Sequence, residues 1–256
     1  MPPKNENLSI AAVILAAGEG KRMKSDLPKV LHQVGGRPII EYVVKTAKTL
    51  KPNRIIVVIG HQGQMVQDFL KPYRVDIVWQ KELLGTGHAL VQTKSLLSDF
   101  QGILLVLCGD VPFLRPETIR ELIQTHRKTQ ACATVLTALL EDPEGYGRVI
   151  RAEDGSVEKI VEHKDATPRE RVEKEINTGT FCFDSRFIFP ALAQVEKENE
   201  QGEYYLTDVV KILRKGNHKI SAFQARNPRE TMGINSFEQL RQMEALWANG
   251  QIELNV

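Results

Sequence analysis

The sequence predicts an α/β fold of Rossmann-like type, with a mostly parallel central sheet, helices on both faces and a smaller mixed-sheet part. Three observations predict it. From Leu8 to about Thr137, short β-branched apolar runs alternate with amphipathic stretches, the pattern of βαβ units. A segment with two glycines, Leu15-Ala16-Ala17-Gly18-Glu19-Gly20-Lys21-Arg22-Met23, comes directly after the first strand, where open α/β sheets bind ligands. After Thr137 the rhythm shifts to hairpin-type signals.

In order, the apolar runs Ile10–Leu15, Ile55–Ile59, Val75–Trp79, Ile103–Leu107 and Cys132–Leu136 read as buried strands. Between them lie helical stretches at Pro38–Leu50, Gln62–Leu70, Thr86–Leu97 and Pro116–Lys128, with Pro38 suited to a first helical position. Arg148–Arg151 and Val157–Val161 flank Asp154-Gly155, a hairpin signal, and Ile176–Asp184 is a further strand. The mixed charges of Arg169–Glu175 read as a solvated loop. Thr207–Lys215 is a short helix ended by Gly216, Lys219–Gln224 a last strand, and Ser236–Trp247 a helix capped by Ser236. The C-terminal half is expected to lay a mixed sheet over the crevice. The domain division that follows is a polar, disordered tail over 1–7, a catalytic-type domain over 8–235, and a C-terminal helix or linker over 236–256.

Composition narrows the function. In 256 residues, 34 Lys+Arg balance 32 Asp+Glu for a net charge of +2, and no basic block suits a phosphate backbone, so nucleic acid is not an expected partner. Three thiols, Cys108, Cys132 and Cys182, form no CxxC and sit in apolar runs, which reads as reduced cysteines in a cytoplasmic protein. No apolar stretch approaches the roughly 18–20 residues that span a bilayer.

Several segments carry chemistry. Leu15-Ala16-Ala17-Gly18-Glu19-Gly20-Lys21-Arg22-Met23 can bring backbone and two cations close to phosphate, yet it matches neither a Walker A motif nor the dinucleotide fingerprint, and an ordinary βα turn reads the same way. Pro28 stiffens the chain before Lys29, which can add its ammonium to the same crevice. Gln80 offers a donor and an acceptor suited to a pyrimidine edge, with Gly85 and Thr86 opening the next helix; alternatively this is a polar turn with Thr86 as cap. Asp110 emerges at a strand end, where a carboxylate can hold Mg²⁺. Asn235 is either a second oxygen ligand or a cap residue. In Gly145-Tyr146-Gly147-Arg148, Val161-Glu162-His163-Lys164-Asp165 and Ile176-Asn177-Thr178-Gly179, Glu162 and Asn177 can bind sugar hydroxyls while Gly147 leaves room for the ring; turns, caps or surface pairs are the competing readings. His88 and His163 lack metal-ligand spacing and read as supporting groups.

Taken jointly and in order, Leu15–Lys29, Gln80–His88, Cys108–Pro112, Gly145–Arg148, Glu162–Ala166, Asn177–Gly179, Glu203–Asp208 and Gly233–Asn235 resemble the sugar-phosphate nucleotidyltransferases, and among them the pyrophosphorylase domain of bacterial N-acetylglucosamine-1-phosphate uridylyltransferases. The resemblance implies transfer of the uridylyl group of UTP to N-acetylglucosamine-1-phosphate with Mg²⁺, yielding pyrophosphate and a precursor for peptidoglycan and lipopolysaccharide. It implies Leu15, Ala16, Ala17, Gly18, Lys29, Gln80, Gly85, Thr86, Cys108 and Gly109 at the nucleotide, and Arg22, Lys29 and Asp110 in catalysis. It further implies Asp110 and Asn235 as Mg²⁺ ligands and Gly147, Glu162 and Asn177 at the sugar. Cys108 stands where an aromatic residue can occur in the family. Thymidylyl or glucose transfer, and a nucleotide-sugar-binding regulator without turnover, are the alternatives. Such enzymes often continue into a trimerising β-helix with acetyltransferase activity; the sequence stops at Val256, so acetyl transfer is not expected of it and self-association is left open.

Overall fold

The computed structural model describes residues 9–253, so the tail expected over 1–7 lies outside them. In chain order the strands are β1 (Ile10–Ala16), β2 (Gln33–Val34), β3 (Arg37–Pro38), β4 (Arg54–Ile59), β5 (Asp76–Trp79), β6 (Ile103–Cys108), β7 (Ala133–Leu139), β8 (Arg148–Arg151), β9 (Val157–Val161), β10 (Glu175–Asp184) and β11 (Ile220–Gln224). The helices are α1 (Ile39–Thr49), α2 (Gly63–Leu70), α3 (Thr86–Val91), α4 (Pro116–Thr129), α5 (Pro168–Arg171), α6 (Ser185–Leu192), α7 (Asp208–Lys215) and α8 (Phe237–Ala248), with 3₁₀ turns at Lys21–Met23 and Lys29–Leu31 among others.

One sheet organises the molecule, in the order β11-β7-β10-β6-β1-β4-β5. At its centre, Val13 of β1 lies beside Ile56 and Val106 of its two parallel neighbours. These strands read as unbroken apolar runs because both their faces are covered, as parallel sheets require. Ala11 and Val13 face a core completed by Leu90, Ile188 and Val209 of α3, α6 and α7. Ala12 and Ile14 face the opposite core, with Val43, Val66 and Leu122 of α1, α2 and α4. Every such fully buried Val, Leu or Ile contributes about 2 kcal/mol. A third cluster joins Leu240 and Met243 of α8 to Met23, Val34, Tyr42 and Phe113, so the closing helix packs on the body near the glycine loop. Among the described residues no helix is long and apolar enough to cross a membrane.

The structure departs from expectation in the second half. The C-terminal strands do not form a separate layer over the crevice. Instead β10 inserts antiparallel between β6 and β7, with Cys182 opposite both Leu105 and Thr134, and β11 extends the sheet parallel to β7. The β8–β9 hairpin, turning at Asp154-Gly155, hangs from β10 through Ile176 and Arg148 and forms the small mixed part. Several local expectations also give way. Pro38 ends β3, paired with Gln33 around Gly35-Gly36, and α1 begins at Ile39. The stretch Thr86–Leu97 breaks after Val91, where the buried Thr93 hydroxyl bonds back to the Leu90 carbonyl at 2.7 Å and competes with the helix ladder. Arg169–Glu175 contains α5, whose capping box pairs Thr167 with Glu170. Helix α6, capped by Asp184, was hidden by Pro190 near its end. Cys132 and Cys182 are buried free thiols, while Cys108 is half-buried at the mouth of the sheet.

Candidate active site

An open cleft of about 580 Å³ lies over the carboxyl ends of β1 and β6. Leu15, Ala16, Ala17, Gly18, Arg22, Lys29, Gln80, Gly85, Thr86, Cys108, Asp110 and Asn235 all line it, gathering most of the expected site residues from four of the segments named above. Gly109 does not line it. It is buried against Ala16, with its N–H donated to the Leu15 carbonyl at 2.9 Å, so it sets the spacing of β6 against β1 and makes no contact with the cleft.

The glycine loop is pinned at both ends. Met23, 1% exposed, anchors it in the third core cluster and bonds back to the Gly20 carbonyl at 2.7 Å. Gly20 turns with φ +65°, and a Cβ there would stand 2.8 Å from the Lys29 Cβ, so only glycine lets the Lys29 segment approach the loop. Gly18, Lys21 and Arg22 remain exposed toward the cleft. The Lys21–Glu19 pair at 3.1 Å is open to solvent and contributes little.

Lys29 reaches into the cleft from its 3₁₀ turn behind Pro28. Its Nζ lies 2.5 Å from the Asp110 Oδ2 and 2.9 Å from the Asn235 Oδ1. Asn235 is therefore not a cap: the Ser236 hydroxyl caps α8 through the Gln239 N–H, while the Gln239 Oε1 accepts the Asn235 N–H at 2.8 Å. Two ties bring this segment to Asp110. The Ile234 N–H donates to the Asp110 carbonyl at 2.9 Å, and the buried Glu230 carboxylate accepts from the Arg115 N–H at 3.0 Å and the Thr118 hydroxyl at 2.8 Å, capping α4 from outside. A carboxylate and an amide oxygen thus converge where a cation already sits. Two hard oxygen donors with room for phosphates suit Mg²⁺, which usually keeps several waters and needs only one or two protein ligands. Among the described residues there is no group of three or more His, Cys, Asp or Glu that could form a denser metal site.

On the other side, Gln80 follows β5 and donates its backbone N–H to the Ile59 carbonyl at 2.8 Å. Its Nε2 lies 3.0 Å from the Gly85 carbonyl and 3.1 Å from His88 Nδ1. Thr86 does not cap its own helix; its hydroxyl accepts the Leu206 N–H at 3.1 Å, while the Gly87 N–H donates to the Tyr204 carbonyl at 2.8 Å. The segment Glu203–Asp208 thereby clamps the start of α3.

Gly147, Glu162 and Asn177 lie outside the lining of the main cleft and form an adjoining cluster. The Asn177 N–H donates to the Gly147 carbonyl at 2.9 Å, the Asn177 Oδ1 accepts the Gly179 N–H at 3.0 Å, and the Cys108 thiol contacts the Gly179 carbonyl at 3.4 Å. Glu162 accepts the Thr207 hydroxyl at 2.9 Å. Burial pushes the Glu162 carboxyl above its ordinary range, the Thr207 bond opposes this, and Asp208, Asp165 and Glu203 add to the rise. Burial likewise pushes the Cys108 thiol up to about 12, so it packs rather than reacts.

The sequence reading passed over some cleft residues. Lys164, Gln201 and Glu203 form the facing wall. Lys164 stood in the segment singled out for Glu162 and Glu203 opens the segment Glu203–Asp208, whereas Gln201 carries no local signal. Asp165 ties that wall together, accepting from the Glu200 N–H at 2.9 Å and the Tyr205 hydroxyl at 3.1 Å. Tyr146 lies within the field of Asp110 and Arg22, bonded to the Gly233 backbone, and burial raises its phenol.

Comparison with known proteins bears on the family and the fold. A family model described as the MobA-like NTP transferase domain matches residues 12–212. The chain is 48% identical over 238 residues, 93% of its length, to the Bifunctional protein GlmU of Bacillus cereus (strain AH187), and to the same degree to that of Bacillus anthracis (strain CDC 684 / NRRL 3495). Each alignment covers 52% of the relative, so the chain spans about half the length of the curated relatives it matches. Among solved structures, UDP-glucose pyrophosphorylase complexed with UDP-glucose superposes with a TM-score of 0.76 over 95% of this chain and all of that one, at 19% identity, and its apo form gives 0.75. These structures share the fold. The cleft over a parallel sheet, its glycine loop and the match over most of the chain lead to one statement of kinship: the chain belongs to the MobA-like NTP transferase domain family.

Proposed function

We propose that the chain transfers the uridylyl group of UTP to N-acetylglucosamine-1-phosphate, releasing pyrophosphate. The observation that carries this reading is the Lys29 ammonium, held at 2.5 Å by Asp110 and 2.9 Å by Asn235 beside the glycine loop. Kinship with proteins called Bifunctional protein GlmU supports the choice of substrates.

In the reaction a phosphate oxygen of the sugar phosphate attacks the α-phosphorus of UTP, and the bond to the β-phosphate oxygen breaks. With a second phosphate pKa of about 6, the attacking oxygen is already ionised at neutral pH, and no general base is required. The chain's work is to bring two anions together and offset their repulsion. Lys29 and Arg22 supply cations on the phosphate side, and Leu15, Ala16, Ala17 and Gly18 let the nucleotide lie against backbone. Gln80, Gly85 and Thr86 read the base, while Glu162 and Asn177 take sugar hydroxyls in the space left by Gly147. Asp110 and Asn235 are the residues that would hold Mg²⁺. When bound, that ion neutralises phosphate charge and steadies the leaving group.

Pyrophosphate release, measured with Mg²⁺ across UTP, dTTP and CTP and across several sugar-1-phosphates, tests the reading. Fastest turnover is expected with UTP and N-acetylglucosamine-1-phosphate. A preference for glucose-1-phosphate or dTTP would reassign the substrate, and UDP-sugar binding without any pyrophosphate release would leave a binding protein in its place.

A further inference from the structure

The side chain of Gln80 can read a base only if its carboxamide is held one way round, because its two ends present opposite hydrogen-bonding character. Gln80 is 4% exposed and lines the cleft. Its nitrogen lies 3.0 Å from the Gly85 carbonyl, which can only accept. That contact sets the nitrogen end. The second amide hydrogen meets His88 Nδ1 at 3.1 Å, so this ring nitrogen is the acceptor and the ring proton resides on Nε2. His88 in turn is flanked by the Gln92 side-chain nitrogen, 3.0 Å from its Nε2 and one turn along the same helix. Of the two carboxamides at the ring, that of Gln92 is half-buried and must turn its oxygen to accept the Nε2 proton, whereas the buried Gln80 amide is fixed by Gly85 and keeps its nitrogen toward Nδ1. The His88 ring stacks on Tyr204 at 6.2 Å and 29°. With both amide hydrogens taken up by the protein, Gln80 offers the cleft a lone acceptor, Oε1. The complement of a lone acceptor is a donor such as the imide N3–H of uracil. Cytosine presents an acceptor at that atom, leaving two acceptors face to face, an arrangement that binding sites reject strongly.

We propose that His88 is a positioning residue for base selection: by accepting the second amide hydrogen of Gln80, it makes that side chain an acceptor-only reader of uridine nucleotides. This rests on the uridylyltransferase reading. His88 does not line the cleft, so its effect belongs in discrimination between bases more than in the chemical step.

The test compares wild type with His88→Phe, which keeps a ring against Tyr204 but has no nitrogen, and His88→Asn, whose side-chain oxygen can occupy the position of Nδ1. His88→Ala is run beside them, since alanine suits a helix interior and guards against a misfit of the larger ring. Two quantities are read: the ratio of kcat/KM for UTP to that for CTP, and the Kd values of the two nucleotides by calorimetry without sugar phosphate. The ratio is expected to fall at least tenfold in His88→Phe and His88→Ala, mainly through a higher KM for UTP, and to recover at least half of that loss, on a logarithmic scale, in His88→Asn. A ratio unchanged within twofold in folded His88→Phe or His88→Ala overturns the role. Equal losses for both nucleotides also overturn it, because they mark a merely structural histidine. If wild type shows no turnover with any sugar phosphate, the uridylyltransferase reading fails by itself, and the Kd ratio still decides the role of His88.

Discussion

Replacing Gly179 with alanine tests how β10 is fitted against the cleft. Gly179 sits at a register shift between Asn177 and Phe181 with φ +77°, and an added Cβ would lie 2.4 Å from the Cys108 sulfur. Ordinary contact begins at 3.4 Å, so the sulfur or the strand must move by about 1 Å. The sulfur can swing aside only by giving up its contact with the Gly179 carbonyl. Left-handed backbone costs an alanine about 1–2 kcal/mol, and an overlap of this kind about 1–3 more. Gly179→Ala is therefore expected to lose about 2–5 kcal/mol. Cys108→Ala alone removes one small half-buried group and costs about 1 kcal/mol. In the double variant the backbone strain persists while the overlap is gone, giving a coupling of about 1–3 kcal/mol in the rescuing direction. Urea unfolding of all four proteins, with m-values compared to confirm that only stability changed, measures it. A coupling within about 0.5 kcal/mol, the range found for independent sites, would refute the packing argument. Because the Gly179 N–H orients the Asn177 side chain, the single variant is also expected to raise KM for the sugar phosphate more than KM for UTP.

Asp110→Ala is expected to lower kcat about a thousandfold at fixed Mg²⁺, with a change in thermal midpoint of only a few degrees; near-wild-type rates at limiting Mg²⁺ would remove Asp110 from the metal site. Glu230→Ala leaves the Arg115 N–H and the Thr118 hydroxyl without their partner, so a loss of about 2–4 kcal/mol is expected in urea unfolding, and a loss under 0.5 kcal/mol would show that α4 does not need this cap. His126 lies buried with its Nδ1 2.8 Å from the Thr134 hydroxyl, and burial pushes its pKa down to about 4. The unfolded chain takes up a proton near 6.5 that the folded one refuses, so stability present above 6.5 is lost as pH falls toward 4, by about 3 kcal/mol at most. His126→Gln is expected to flatten that stretch of the stability–pH profile, and equal slopes in variant and wild type would contradict the assignment.

Legibility in the sequence followed the range of the interaction. The alternation of apolar runs and amphipathic stretches identified nearly every strand of the first half, because each pattern depends on neighbours a few residues away. Residue types at strand ends marked Asp110 and Gln80 for the same reason, and the Asp154-Gly155 turn was visible in two residues. The placement of β10 was not visible, since a strand buried on both faces reads alike whether it pairs parallel or antiparallel. Gly109 looked like part of a ligand loop until the pairing of β6 with β1 turned it inward.

By itself the sequence determined the α/β class, the succession of strands and helices along the first half and the chemistry on offer: an ammonium, a carboxylate, an amide and a glycine loop in one chain. Only the tertiary structure decided that Lys29 meets Asp110 across 81 residues and Asn235 across 206, that Glu230 caps α4, and that His88 meets the Gln80 carboxamide. Hydrophobic periodicity is written locally, residue by residue. Hydrogen bonds between distant segments exist only once strand order and loop packing have set those segments side by side, and no local pattern encodes that order.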